Sequence, residues 1–136
     1  MSAADNIQTC KDMYAAFKRG DRGAMVARSA ENIQIVLDIG VGEIPWAGEY
    51  QGHTGLEKNQ DLLAETVQVD VLEQLDFFAS ETQVVVVNKM EMTVKKNGQK
   101  VSLPRYVQFM SFDAAGKLAK VCEAYDPTPL IAALRR

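Results

Sequence analysis

The stretch VQFMSFDAAGKLAKVCEAYDPTP, residues 107–129, sets two apolar runs on either side of a short turn. The turn, DAAGK at 113–117, has hairpin composition, so the runs ending at 112 and beginning at 118 pair as antiparallel strands. The second run carries an acid, Glu123, between Val121 and Tyr125. A carboxylate in such a strand stands on the floor of a ligand pocket or faces solvent from an ordinary sheet. Alternation alone does not choose, because the opposite face mixes Lys120 with Leu118 and Cys122.

Outward from this hairpin the chain continues as strands. VQVDVLEQLDFFAS (67–80), TQVVVVNKMEMTVKK (82–96) and VSLPRYVQFMSF (101–112) are rich in β-branched and aromatic residues, and Asn97-Gly98 is a hairpin signal. In the middle run Asn88, Met90, Met92 and Val94 share one face, while Lys89, Glu91, Thr93 and Lys95 share the other. The charged face is wet, so the methionine face points inward. In 101–112, Tyr106, Gln108 and Met110 alternate with Arg105, Val107 and Phe109, and either set fits a core.

The N-terminal half reads differently. Ile7, Cys10, Met13, Tyr14 and Phe17 recur at helical spacing. Gly20 suits the end of that helix, and Asp21 suits the cap of a short second helix through Met25 and Val26. NIQIVLDIG (32–40) alternates Ile33, Ile35 and Leu37 with Gln34, Val36 and Asp38, as a strand does. VGEIPWAGEYQGHTG (41–55) is a loop by its glycines and proline. Thr54 and Glu57 have capping-box spacing, which predicts a helix starting there, with Leu56, Leu62 and Leu63 on its apolar side and Asn59 between them. Pro127 and Pro129 end the last strand, and LIAALRR closes the chain as a short helix. Helices, one strand, a helix and then a run of antiparallel strands make an α+β layout, expected as one domain over 1–136.

Composition narrows the class. With 136 residues, 47% of them hydrophobic and 24% charged, the chain is long enough to bury a core. A net charge of -3 argues against nucleic acid or an acidic membrane surface as partner. No apolar run approaches the roughly 20 residues that span a bilayer, and the start, MSAADNIQTCKDMY, lacks the basic end and apolar stretch of a signal peptide. The expectation is a cytoplasmic chain with Cys10 and Cys122 as reduced, buried thiols. The single histidine, His53, excludes a multi-histidine metal site, and no serine sits in a nucleophile-elbow pattern.

Three segments, MYAAFKRGD (13–21), WAGEYQG (46–52) and FMSFDAAGKLAKVCEAYD (109–126), resemble the opening helix, the loop before the third helix and the closing hairpin of the NTF2-like superfamily. The nearest branch is that of the SnoaL-like polyketide cyclases and the ketosteroid isomerases. The resemblance extends over nearly the whole chain and rests on the order and spacing of these pieces. It implies a cone: a strongly curved antiparallel sheet wrapped over the N-terminal helices, with a deep pocket at the open end. It also implies a homodimer packed through the convex sheet face. The fold hosts isomerases, cyclases, dehydratases, epoxide hydrolases and binders, so it does not give a function by itself.

The family hairpin turns Tyr106, Gln108 and Met110 inward, together with Val121, Glu123 and Tyr125, and sends Arg105 outward. The isomerase pattern of an aspartate base with a tyrosine and a protonated aspartic acid is not intact. Met13 falls where the tyrosine donor belongs, with Tyr14 one residue away and pointing elsewhere. Leu37 falls at the base, with Asp38 out of step, and Gln108 replaces the protonated acid. What remains is an expected catalytic set of Glu123, Gln108 and Tyr125, with Asn88, Met90, Met92, Tyr106, Met110, Val121, Trp46 and Asp38 around the ligand. Trp46 is read equally as a lid and as a core plug, and His53 as an exposed loop residue. Desolvation raises the pKa of such a carboxyl into the range useful for proton transfer. The expected ligand is small and apolar or amphipathic, and the expected chemistry is cofactor-free acid–base catalysis beside a carbonyl. A non-catalytic binding dimer is the alternative. An epoxide-hydrolase reading needs an inward arginine, and a filled-cone structural dimer ranks below it.

Overall fold

In the computed structural model, which describes residues 1–136, three helices pack into the concave face of a six-stranded, curved, open sheet. The elements are α1 (Ala3–Lys18), α2 (Arg22–Ala27), β1 (Ser29–Leu37), β2 (Gly48–Gln51), α3 (Gly52–Thr66), β3 (Val67–Ala79), β4 (Gln83–Val94), β5 (Lys100–Phe112), β6 (Leu118–Ala124) and α4 (Thr128–Leu134). The α+β layout read from the sequence is the observed one. Sheet order is β2-β1-β6-β5-β4-β3. All neighbours run antiparallel except β1 and β6, which are parallel and so depart from an all-antiparallel sheet.

Local signals explain most element ends. Ser2 and Asp5 form a reciprocal capping box on α1. Gly20 takes the left-handed conformation that closes α1, and Asp21 caps α2 by accepting from the Ala24 amide. Two expectations fail between 41 and 57. Gly48–Gln51 forms β2, an edge strand that pairs Tyr50 with Ile35. Four residues flanked by glycines are too short to show alternation, so the stretch reads as loop. The helix α3 starts at Gly52 and has no side-chain cap, so Thr54 and Glu57 are not a capping box. Gly52 takes φ +71° as the chain turns from β2 into the helix.

The curvature of the sheet comes with bulges, each of which adds a residue to one strand and bends it. Between the Asn88–Tyr106 and Met90–Leu103 pairs, β5 carries one residue more than β4. Pro104 and Arg105 occupy that bulge and are exposed, and proline tolerates the position because the ladder needs no N–H there. In consequence Leu103 and Tyr106, three apart, both face inward. Leu75 does the same for β3, where Gln74 pairs with Asn88 but Asp76 pairs with Val87.

The core fills the concavity, with Cys10, Ile33, Val84, Val86, Met92, Val94, Leu118 and Leu130 among its fully or almost fully buried side chains. Cys10 is buried as expected, whereas Cys122 is only half-buried on the outer face; both are free thiols. At the start of α1, Asn6 is buried and donates to the carbonyls of Ser80 (3.3 Å) and Glu81 (2.9 Å) in the β3–β4 turn. These bonds fix the helix that carries Met13 and Tyr14 over the sheet. Asn6→Ala is expected to lower stability by about 1–2 kcal/mol, because it removes both hydrogen bonds that tie the buried start of α1 to the β3–β4 turn; urea denaturation measures the change.

Candidate active site

The space left between α1, α3 and the sheet is a cavity of about 130 Å³. Its wall is mostly apolar: Met13 and Phe17 from α1, Ile33, Ile35 and Leu37 from β1, Leu56 and Leu63 from α3, and Met90 and Met92 from β4. Period-two alternation puts the β1 and β4 residues there, as read from the sequence. Trp46 also lines the cavity and is buried, held by its backbone carbonyl, which accepts from Tyr50 Oη (3.0 Å) and Asn59 Nδ2 (3.1 Å).

The polar part of the wall is Tyr14, Tyr106, Gln108, Glu123 and Tyr125 on one side, with Asn59 and Gln60 of α3 elsewhere. Register explains the grouping. Gln74, Asn88 and Tyr106 are paired across β3, β4 and β5, and Gln108 is paired with Glu123 across β5 and β6. Tyr14 comes down onto this row from α1.

These side chains form one hydrogen-bonded chain with a single direction. Gln74 Nε2 donates to Asn88 Oδ1 (3.0 Å), and Asn88 Nδ2 donates to Tyr14 Oη (3.3 Å). Tyr14 Oη donates to Gln108 Oε1 (2.6 Å), and Gln108 Nε2 donates to Tyr106 Oη (3.4 Å). Tyr106 Oη donates to Glu123 Oε2 (2.7 Å). Every donor points toward Glu123, so each bond polarises the next and the sum favours negative charge on the carboxylate.

Burial opposes this. Glu123 is 6% exposed, and its Oε1 is buried with no partner. Desolvation pushes the Glu123 pKa up to about 7; the bond from Tyr106 pulls it down and the charge of Asp38 adds to the rise. Burial and the adjacent Glu123 charge raise the pKa of Tyr106, which keeps its proton for the bond to Glu123. Burial likewise raises the pKa of Tyr14 and of Tyr125. The Tyr125 ring packs edge-on against Tyr106, with centroids 5.2 Å apart.

Of the expected residues, Glu123, Gln108, Tyr125, Tyr106, Met90, Met92, Met110, Val121 and Trp46 all line the cavity. Three placements differ from expectation. Asn88 is fully buried behind the wall and reaches the site through Tyr14 and the Tyr106 carbonyl. Asp38 is exposed just beyond β1 and off the wall, because one step along a strand reverses the face. Tyr14, expected to point elsewhere, is on the wall beside Met13: adjacent positions on a helix both fit within a broad apolar face. Gln74 was not anticipated, because the bulge at Leu75 hides its parity. His53 is partly buried in the first turn of α3, not exposed on a loop, and its Nε2 lies 3.1 Å from the Ser29 carbonyl. Arg105 is exposed, as expected, so no arginine stands on the wall. No cluster of three His, Cys, Asp or Glu side chains is present to hold a metal ion, and no helix is long and apolar enough to cross a membrane.

No family model matches the sequence, and no curated protein matches it. Solved structures do match. An NTF2-like protein of unknown function from Burkholderia pseudomallei superposes with a TM-score of 0.88 at 22% identity, over 100% of both chains. A protein from Xanthomonas campestris, described as a proposed polyketide cyclase, superposes with a TM-score of 0.78 at 18% identity, over 98% of this chain and 99% of that one. An NTF2-like protein from Burkholderia xenovorans superposes with a TM-score of 0.87 and shares 30% identity over 98% of each chain. With that identity over almost its full length, the chain belongs to the NTF2-like family.

Proposed function

We propose that this protein is a small-molecule enzyme that transfers a proton on a compact, largely apolar carbonyl compound without a cofactor, with Glu123 as the acid–base group. One observation carries the reading: a carboxyl poised near pKa 7 on a residue that lines an apolar cavity, with one oxygen held by Tyr106 and the other buried without a partner. Glu123 removes a proton from carbon next to the carbonyl, and the C–H electron pair becomes the enolate. Tyr125, whose hydroxyl has no partner in the chain, and the second N–H of Gln108 hydrogen-bond the developing oxyanion. The same proton then returns to a different carbon in an isomerisation, or leaves with a hydroxide group in a dehydration. The name borne by the Xanthomonas structure, a proposed polyketide cyclase, is compatible with such enolate chemistry.

Exchange of α-hydrogen for deuterium in one-ring ketones, followed by NMR, tests the step. Glu123→Gln is expected to lower the exchange rate by 10²- to 10⁴-fold and Tyr125→Phe by about tenfold. The wild-type rate is expected to rise with pH through about 7, as Glu123 loses its proton. Exchange that survives in Glu123→Gln, or that no ketone undergoes, removes the proton-transfer role and leaves a binding protein.

The same carboxyl destabilises the fold. Its folded pKa of about 7 lies above the unfolded value near 4.5, so the native state holds a proton the unfolded chain has released. Stability therefore falls as pH rises from about 4.5 to about 7 and is level beyond. Glu123→Gln is expected to match wild type near pH 4 and to exceed it by roughly 3 kcal/mol at pH 8, measured by urea denaturation at both pH values.

We further propose that two copies associate through the outer face of the sheet. Phe78, Val85, Phe109, Cys122 and Val36 form a continuous apolar rung across β3, β4, β5, β6 and β1, and Phe78 is 59% exposed. Such a rung suits a second copy. Phe109→Glu is expected to convert a dimer into a monomer in sedimentation equilibrium; a wild-type monomer at micromolar concentration would refute it.

A further inference from the structure

The hydrogen-bond row has one point at which its direction cannot be reversed. Asn88 is fully buried, and its Nδ2 faces two backbone carbonyls, that of Tyr106 at 3.2 Å and that of Val86 at 3.5 Å. A backbone carbonyl only accepts, so the amide nitrogen of Asn88 has to stand there and its oxygen toward Gln74. The other groups between it and Glu123 are ambivalent: a tyrosine hydroxyl donates or accepts, and the Gln108 amide fits either way round.

From Asn88 the rest follows by counting hydrogens. Its amide has two, one for the Tyr106 carbonyl and one for Tyr14 Oη, 3.3 Å away. Tyr14 therefore sends its single hydrogen to Gln108, 2.6 Å away, which has to present its carbonyl oxygen. The Gln108 nitrogen is left facing Tyr106 Oη at 3.4 Å, and the Tyr106 hydrogen goes to Glu123 Oε2 at 2.7 Å. With Gln108 turned round, Tyr14 would receive N–H groups from both sides and have nowhere to donate. Tyr106 would give its hydrogen to the Gln108 oxygen. Glu123, whose other oxygen is already unpartnered, would then have no donor at all.

We propose that Asn88 is the positioning residue of this site: pinned by the Tyr106 carbonyl, it fixes the Gln108 amide through Tyr14 and so reserves the Tyr106 hydroxyl for Glu123. It stands behind the cavity wall and acts only through other side chains. Its importance for chemistry rests on Glu123 being the acid–base group proposed above; the orientation it imposes does not. The other titratable groups around Glu123 are Tyr106 of β5, Tyr125 beyond β6, Tyr14 of α1 and Asp38 beyond β1. No lysine, arginine or histidine lines the cavity. An apolar substitution at Asn88 changes none of these charges, so it reaches Glu123 through the row alone.

Two NMR readouts on the folded protein, neither of which needs a substrate, test this. In wild type the side-chain amide protons of Gln108 are expected to show stronger NOE contacts to the Tyr106 ring than to the Tyr14 ring. The Glu123 carboxyl carbon is expected to titrate near 7. Asn88→Leu is expected to abolish the preference for Tyr106 and to move the Glu123 midpoint upward by roughly 0.5–1 pH unit. Tyr14→Phe cuts the same path one link later and is expected to shift the midpoint in the same direction. The double variant is expected to shift no further than the larger single one, because both act on one path. Gln74→Leu, on the far side of Asn88, is expected to leave the Gln108 contacts as in wild type. A wild-type Gln108 whose N–H groups lie against Tyr14 overturns the proposal, even if a variant fails to fold. So do folded single variants in which both the amide contacts and the Glu123 midpoint stay where they were. A displaced midpoint without deuterium exchange in any ketone keeps the positioning role and removes the catalysis. Exchange with an unmoved midpoint does the reverse.

Discussion

A carboxylate held inside an apolar wall is the constraint on which the arrangement of this molecule depends. Removing a lone carboxylate from water is costly enough that the group normally takes up a proton instead. Here the penalty is offset in part by a row of donors that begins at Gln74 on the edge strand β3 and ends at Glu123 on β6. Burial and the donor row act in opposite directions, and the balance leaves the group near neutrality. The row needs β3, β4, β5 and β6 in one register and α1 seated over them. The bulges, the Asn6 anchor and the Gly20 turn supply that geometry.

The parity of each strand decides which side chains reach the cavity, and strands differ in how openly they declare it. In β4 the alternation of Met90 and Met92 with Lys89, Glu91 and Thr93 declares it fully, since burying the charged set is prohibitive. In β5 both sets are acceptable to a core, and the bulge at Pro104–Arg105 breaks the period where it would have been read. The family resemblance, through the closing hairpin, was needed to turn Tyr106, Gln108 and Glu123 inward, and the structure has them on the wall. Edge strand β2 and the origin of α3 at Gly52 were not legible, because their determinants are pairing with β1 and one positive φ. Neither leaves a periodic trace in the sequence.

The departures from the isomerase pattern acquire a physical sense once the row is visible. Leu37 and Met13 stand on the cavity wall as apolar residues, and Asp38 sits just past β1 in solvent. Tyr14 does reach the wall, but its hydroxyl is committed to Gln108. Polarity is absent from the β1 part of the wall and concentrated on β5 and β6, where the buried carboxyl is Glu123. The first strand now supplies only hydrocarbon, and that raises the desolvation on which the carboxyl's pKa depends.

The amide at position 108 has a further consequence for how the site responds to pH. A second carboxyl at that place would share protons with Glu123, and the two would titrate as a coupled pair with macroscopic constants belonging to neither. Gln108 instead presents a fixed dipole whose orientation is set by Tyr14 on one side and Tyr106 on the other. The tyrosines around it hold their protons well above the neutral range because they are buried. One group on the cavity wall therefore changes charge near pH 7. A cavity wall with a single group titrating near neutrality and an otherwise constant field behaves as a one-proton device, whose two states differ in whether Glu123 carries a hydrogen to donate or only oxygens that accept.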